Sequence, residues 1–277
     1  MLPIPRVSLR DGREIPQVGF GVFLVPEDET EAAVSAALEV GYRHVDTAAV
    51  YENERGVGRA VAGSGLERGD IFVTSKCWNS DQGYDEALAA CETSLEKLRL
   101  DYLDLYLVHW PTPKRERYVD TWRALEKLQA DGLVRSIGVS NFQAPHLRRL
   151  MAETETVPAV NQIEMHPWLQ QRELRAFHAE HGIVSEAWSP LAQGGDNLAD
   201  PVIGSIAEKH NVSPAQIILR WHLDIGNVVI PKSVQPKRMA SNIDLFAIRL
   251  DEGDLDKIAG LDSGTRVGPN PDEFNQA

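Results

Sequence analysis

Eight short runs of apolar and β-branched residues alternate with stretches of helical length along this 277-residue chain, and that alternation constrains the fold more than any other feature. The runs are Val18–Gly21, Arg43–Asp46, Ile71–Ser75, Asp104–Val108, Val134–Val139, Ala159–Gln162, Ile183–Trp188 and Val228–Ile230. Some, such as Leu105 to Val108, are apolar almost without interruption, as a strand buried on both faces requires. Between the runs, Thr30–Val40 sets Ala33, Ala37 and Val40 on one helical face. Asp85–Leu98 does the same with Leu88, Cys91, Leu95 and Leu98, and Tyr118–Ala130 with Trp122, Leu125 and Leu128. Ser213 and Pro214 supply the N-cap and first residue of a further helix carrying Ile217, Ile218 and Trp221. Strands alternating with helices imply parallel pairing through right-handed crossovers. Eight such units in this length predict an α/β fold, a single (β/α)8 TIM barrel spanning residues 1–277, rather than an open sheet. Ahead of the first unit, Val7–Ile15 with its Asp11-Gly12 turn reads as a β-hairpin closing the bottom of the barrel. The stretch after Leu261, rich in Gly, Asn and Pro, reads as an irregular C-terminal tail.

Charge narrows the partners. The 28 Lys and Arg residues face 41 Asp and Glu, a net charge of −13 that repels phosphate backbones and anionic lipid, so neither nucleic acid nor a membrane is an expected partner. Cys77 and Cys91 are too few for a disulfide framework and lack the spacing of a zinc site, so no metal is expected. Met1–Arg6 does not have the basic-then-apolar pattern of a secretion signal, and the expectation is a cytoplasmic protein. No exposed heptad or long apolar stripe asks for a second copy, so a monomer is expected. The two-glycine sequence Gly56-Val57-Gly58 lacks the third glycine of a dinucleotide fingerprint and sits inside a helical pattern. GxSxG, HExxH and the phosphate-loop pattern are absent from the sequence, which removes the hydrolase, zinc-protease and P-loop readings.

In a barrel of this kind chemistry gathers at the C-terminal ends of the strands. Those ends carry Asp46, Lys76, His109, Ser140-Asn141, Gln162, Trp188-Ser189 and Pro231-Lys232-Ser233. Asp46, Lys76 and His109 come from consecutive strands, so their tips converge. Tyr51 follows Asp46 closely enough for a short loop to bring its phenol to the same spot. A free tyrosine titrates near 10, too high for ready proton transfer at neutrality, and a neighbouring lysine cation is expected to lower that value. Asp46 would hold Lys76 charged and oriented, and His109 would donate a hydrogen bond to an incoming carbonyl oxygen. The four together make a tuned general acid with a carbonyl-positioning partner.

These residues lie in long motifs. Gly41-Tyr-Arg-His-Val-Asp46-Thr-Ala-Ala-Val-Tyr51, Asp104-Leu-Tyr-Leu-Val-His109-Trp-Pro, Arg135-Ser-Ile-Gly-Val-Ser140-Asn141-Phe, Pro158-Ala-Val-Asn-Gln162-Ile-Glu-Met-His-Pro167 and Ile230-Pro-Lys-Ser233 resemble the aldo-keto reductases, in order and across almost the whole chain. Within that family the chain is most similar to the bacterial 2,5-diketo-D-gluconate reductase group. The resemblance implies an NADPH-dependent reductase of aldehydes, ketones and small α-dicarbonyls, of broad specificity and suited to detoxifying reactive carbonyls. Carried over by position, Tyr51 is the general acid, Asp46 and Lys76 tune it, and His109 orients the substrate. Ser140, Asn141 and Gln162 match positions holding the nicotinamide amide, and Trp188 the aromatic stacked on its ring. Gly21 and Val22 match cofactor-binding positions of the family. Ser189, Pro190, Leu191, Gln193 and Gly194 match the loop around the pyrophosphate. Ile230, Pro231, Lys232, Ser233, Val234, Arg238 and Asn242 match the adenosine end, with Lys232, Ser233 and Arg238 at the 2′-phosphate. Phe23, Trp78 and Trp110 are expected to line the substrate pocket, and the short tail to leave that pocket shallow and open.

Two departures stand out. Ser241 occupies a position where related reductases often carry a Glu that contacts the adenine, and Cys77 follows Lys76 where the group more often has Leu. Two other functional classes draw on the same residues: a nicotinamide-sensing regulatory subunit, and an aldolase-type barrel with Lys76 as a Schiff-base lysine. Retention of all four catalytic positions disfavours the first, and Tyr51 together with the cofactor-type residues disfavours the second.

Overall fold

The computed structural model describes residues 4–277, apart from the side chain of Asp196. Strands β1 (Arg6–Ser8) and β2 (Glu14–Pro16) pair antiparallel, with Val7 opposite Ile15. The main sheet follows in strict chain order: β3 (Phe20–Gly21), β4 (His44–Asp46), β5 (Phe72–Cys77), β6 (Leu103–Val108), β7 (Val134–Ser140), β8 (Val160–Glu164), β9 (Val184–Trp188) and β10 (Val228–Val229). Each pairs parallel to the next. Val18 bridges to Val229, and Gly19 N donates to the Val229 carbonyl at 2.8 Å, which closes the sheet on itself. The eight-stranded barrel expected from the alternation is therefore present.

Its helices are α1 (Glu27–Val40), α2 (Glu54–Gly63), α3 (Tyr84–Leu98), α4 (Tyr118–Ala130), α5 (Ala144–Glu153), α6 (Arg172–His181), α7 (Pro201–His210), α8 (Pro214–Asp224), α9 (Pro236–Ile243) and α10 (Glu252–Ala259). Helix α1 starts ahead of Thr30, because Glu27, Asp28 and Glu29 suit the positive end of the helix dipole. Helix α2 contains both Gly56 and Gly58, although glycine is a poor helix former, and bears out the helical pattern around them. They are there for packing: a methyl group at Gly58 would overlap the Leu98 carbonyl at the end of α3.

The N-terminal hairpin does close the barrel bottom. Its Leu9 and Ile15 form a small core with Phe72, Leu105, Leu107, Ala159, Val160 and Val228, largely at the starts of strands. The far end of the barrel is thus the only mouth the strand tips share. The tail after Leu261 is irregular, as expected, and it is held at defined points. Val267 N and Gly268 N donate to the two carboxylate oxygens of Glu164, at 2.5 and 3.1 Å. Further on, Phe274 packs on Trp110 with ring centroids 4.5 Å apart, and the Gln276 carbonyl accepts from Asn79. Backbone groups, which composition does not reveal, tie the tail to the end of β8.

Candidate active site

Asp46 ends β4, and Lys76 sits near the end of β5, fully buried. The Lys76 ammonium donates to Asp46 Oδ1 at 2.6 Å, to the Thr47 carbonyl at 2.9 Å and to Tyr51 Oη at 3.4 Å. Burial by itself would strip the charge from Lys76. Asp46, followed by Tyr51, outweighs it and holds the ammonium above the ordinary lysine range. A lysine so paired is not a free amine, and this removes the Schiff-base reading. Tyr51 lies in a short 3-10 turn, Ala49–Tyr51, fixed by the buried amide of Asn53. Asn53 Nδ2 donates to the carbonyls of Val22 and Val25, while its Oδ1 accepts from Thr47.

One electrostatic expectation is corrected. Burial raises the Tyr51 pKa, and the opposing pull of Lys76 does not overcome it, because Asp46 also disfavours a phenolate. Tyr51 is therefore held protonated, as an acid must be before it acts.

His109 follows β6. Its backbone N–H donates to Cys77, and its carbonyl accepts from Asn141 Nδ2 at 3.0 Å. The imidazole stands edge-on to Tyr51 at 5.8 Å and to Trp78 at 5.0 Å. Burial, followed by the charge of Lys76, pushes its pKa well below the usual histidine value. It is thus a neutral ring with one N–H donor, and its Nδ1 has no partner among the described residues.

The residues predicted along the other half of the barrel gather beside this group. Ser140 Oγ donates to the Gln162 carbonyl, Asn141 Nδ2 to Ser140 Oγ, and the Trp188 indole to Asn141 Oδ1 at 2.8 Å. Gln162 Nε2 joins the two halves by donating to Asp46 Oδ2 and to Glu186 Oε2, each at 2.8 Å. Asn141, Ser189 and Gln193 all adopt positive φ without being glycine, a strain typical of sites where backbone must be presented. Pro190 is buried, while Leu191 and Gly194 are partly exposed in the same loop. Gly21 passes so close to β10 that a Cβ would stand 2.9 Å from the Ile230 carbonyl, and Val22 is buried beside it.

At the start of α9, Lys232, Lys237 and Arg238 are exposed, and among the described residues none has an acidic side chain within ion-pair distance. Ser233 is buried and Val234 half-exposed between them, with Pro231 and Ile230 buried below and Asn242 buried further along α9. In a chain of net charge −13, three unpaired cations at a helix N-terminus whose N-cap makes no side-chain bond are suited to a phosphate. The donor set, the close backbone approach at Gly21 and the strained loop fit a phosphorylated dinucleotide lying across the ends of β7 to β10. On the substrate side, Phe23 is 52% exposed and tilted against Tyr51 at 5.1 Å, and Trp78 faces His109. Trp110 is only 7% exposed, because Phe274 of the tail covers it.

Comparison with known proteins decides the family. The family model described as "Aldo/keto reductase family" matches residues 19–263. The chain belongs to the aldo/keto reductase family. It is 57% identical to an aldo-keto reductase of Mycolicibacterium smegmatis over 98% of both chains. It is 53% identical to the methylglyoxal reductase DkgA of Yersinia pestis over 98% of this chain and 97% of that one. Among solved structures, a mutant of Gox0644 in complex with NADPH superposes with a TM-score of 0.94 at 48% identity, covering 99% of each chain. Two buried carboxyls of this aldo/keto reductase are not among the residues expected from the sequence: Glu186, joined to Gln162, and Glu164, which holds the tail. Their only signal was a charge inside an otherwise apolar strand.

Proposed function

We propose that this chain is an NADPH-dependent reductase of aldehydes, ketones and small α-dicarbonyls, with methylglyoxal-like compounds as its natural class. The observation that carries the reading is one buried ammonium, Lys76, shared between Asp46 and the Tyr51 hydroxyl beside a neutral His109. Bound NADPH supplies the hydride. His109 donates its N–H to the substrate carbonyl and fixes that oxygen near Tyr51. Tyr51 Oη delivers the proton, and Lys76 stabilises the phenolate left behind. Asp46 prevents Lys76 from losing its charge in the dry barrel.

Ser140, Asn141 and Gln162 offer amide and hydroxyl groups for the nicotinamide amide, and Trp188 a flat ring beside it. The loop Ser189–Gly194 takes the pyrophosphate, and Lys232, Ser233 and Arg238 the 2′-phosphate, which sets NADPH over NADH. The relatives named methylglyoxal reductase support the dicarbonyl class. Phe23, Trp78 and the tail residue Phe274 supply an apolar wall for it. We further infer a cytoplasmic monomer. Two free, buried thiols, Cys77 and Cys91, accord with a reducing compartment, and no helix among the described residues is long and apolar enough to cross a membrane.

Initial rates with methylglyoxal and phenylglyoxal, using NADPH and NADH, test the reading alongside Tyr51→Phe. Tyr51→Phe is expected to lose about 10²- to 10⁴-fold in kcat while NADPH affinity is retained. Full activity in that variant refutes the mechanism.

A further inference from the structure

Inside the barrel, beneath the catalytic group, Glu186 of β9 is completely buried. Its Oε2 accepts from Gln162 Nε2, the same nitrogen that donates to Asp46 Oδ2. Its Oε1 has no hydrogen-bond partner among the described residues. The groups that face it are His44 and Asp46 on β4, Thr74 and Lys76 on β5, and Gln162 on β8, with Tyr51 beyond Lys76. His44 Nε2 is 3.7 Å from Glu186 Oε1, too far for a hydrogen bond, and is occupied by Thr74 Oγ1 at 3.1 Å. The His44 ring is itself neutral, its pKa lowered to about 3 by burial. On β10, Val228 is the register neighbour of Glu186 and brings no charge.

This arrangement holds two carboxyls on one amide above a single ammonium. An ionised Glu186 would carry an unpaired oxygen in a dry interior next to the Asp46 carboxylate, a costly state. A neutral carboxylic acid removes the buried charge and its repulsion from Asp46, and Oε2 still accepts from Gln162, although Oε1 keeps no partner. We propose that Glu186 is a protonated positioning residue: it anchors Gln162, and through it Asp46, without adding charge, and its ionisation places a second negative charge under Lys76 and Tyr51. Burial, then Asp46, pushes its pKa up to about 8, in agreement. The consequence for the reaction rests on the proposed role of Tyr51. An added negative charge holds the Tyr51 proton more tightly and opposes the phenolate needed for alcohol oxidation, the reverse direction.

The cofactor-free protein provides the primary test. Carbon-13 NMR of the Glu side-chain carboxyls and the Tyr Cζ atoms is followed from pH 5 to pH 10. The Glu186 signal is assigned by its loss in Glu186→Gln, and the Tyr51 signal by its loss in Tyr51→Phe. Glu186→Gln keeps an acceptor for Gln162 but cannot ionise. In the unmutated protein, the Glu186 carboxyl is expected to titrate near pH 8 and Tyr51 Cζ to show an inflection at the same pH. In Glu186→Gln the Tyr51 inflection disappears. The rise of alcohol oxidation with pH moves to lower pH by about one unit, roughly a tenfold gain at fixed alkaline pH. A Glu186 carboxyl already ionised at pH 7, or a Tyr51 inflection that survives in Glu186→Gln, overturns the proposal. Both resonances behaving as expected in a protein without Tyr51-dependent turnover would uphold this inference and refute the reductase reading instead.

Discussion

Acidification from pH 7 to pH 5 sets two kinds of buried group against each other, and the balance can be worked from the structure. His44, His178 and His222 are buried, with pKa values lowered from 6.5 to about 3 by desolvation. The folded state keeps them neutral while the unfolded chain takes up protons, so the stability they contribute is complete above about pH 6.5 and lost as the pH falls. Between pH 7 and pH 5 each removes about 2 kcal/mol, or about 6 kcal/mol together. Glu186 acts in the opposite sense. Its pKa is raised from 4.5 to about 8, so the folded state holds a proton that the unfolded state has released. Its contribution therefore grows as the pH falls, by about 2.5 kcal/mol over the same interval. The buried histidines act alike in both proteins, so between pH 7 and pH 5 Glu186→Gln should lose about 2.5 kcal/mol more than the unmutated protein, a difference large against a typical total stability of about 5–15 kcal/mol. Urea unfolding followed by tryptophan fluorescence at pH 5, 6 and 7 measures both slopes. A Glu186→Gln slope equal to or shallower than that of the unmutated protein refutes the reasoning.

Three other outcomes follow from particular contacts. Lys232→Ala combined with Arg238→Ala should weaken NADPH binding by about 1–3 kcal/mol and leave NADH within about twofold, as titration calorimetry would show; equal losses for both would remove the 2′-phosphate assignment. Gly58→Ala forces a methyl group into the Leu98 carbonyl and should cost about 3 kcal/mol or more, read as a lowered melting temperature with catalytic constants intact in the folded fraction. Gly268→Ala pushes a methyl group into the Trp188 ring, so it should raise KM for cofactor or dicarbonyl while thermal stability changes little; unchanged kinetics would separate the tail from the site.

The sequence carried the barrel well because parallel strands in a closed sheet must be apolar throughout, and such runs are easily read. It carried Asp46, Tyr51, Lys76 and His109 because strand ends are where polar side chains interrupt those runs. The helical pattern around Gly56 and Gly58 was legible, but not why glycine stands there: they answer to neighbours far along the chain, Thr30 and Leu98, rather than to helix propensity. Glu186 and Glu164 were missed for a related reason. A strand buried on both faces gives no alternation to say which side looks into the barrel, so a lone charge cannot be placed until its neighbours are known. The sign of the Tyr51 shift was misjudged because proximity to Lys76 is legible in order and spacing, whereas the extent of burial is not.

The mooring of the tail has a consequence for how such an enzyme can diversify. Glu164 grips residues 267 and 268 by their main-chain N–H groups, which every amino acid except proline provides. The hold is therefore indifferent to most of the side chains beyond it. The last nine residues, 269–277, can exchange their side chains while the rope that holds them stays tied, so the face they present is free to change without renegotiating the fold.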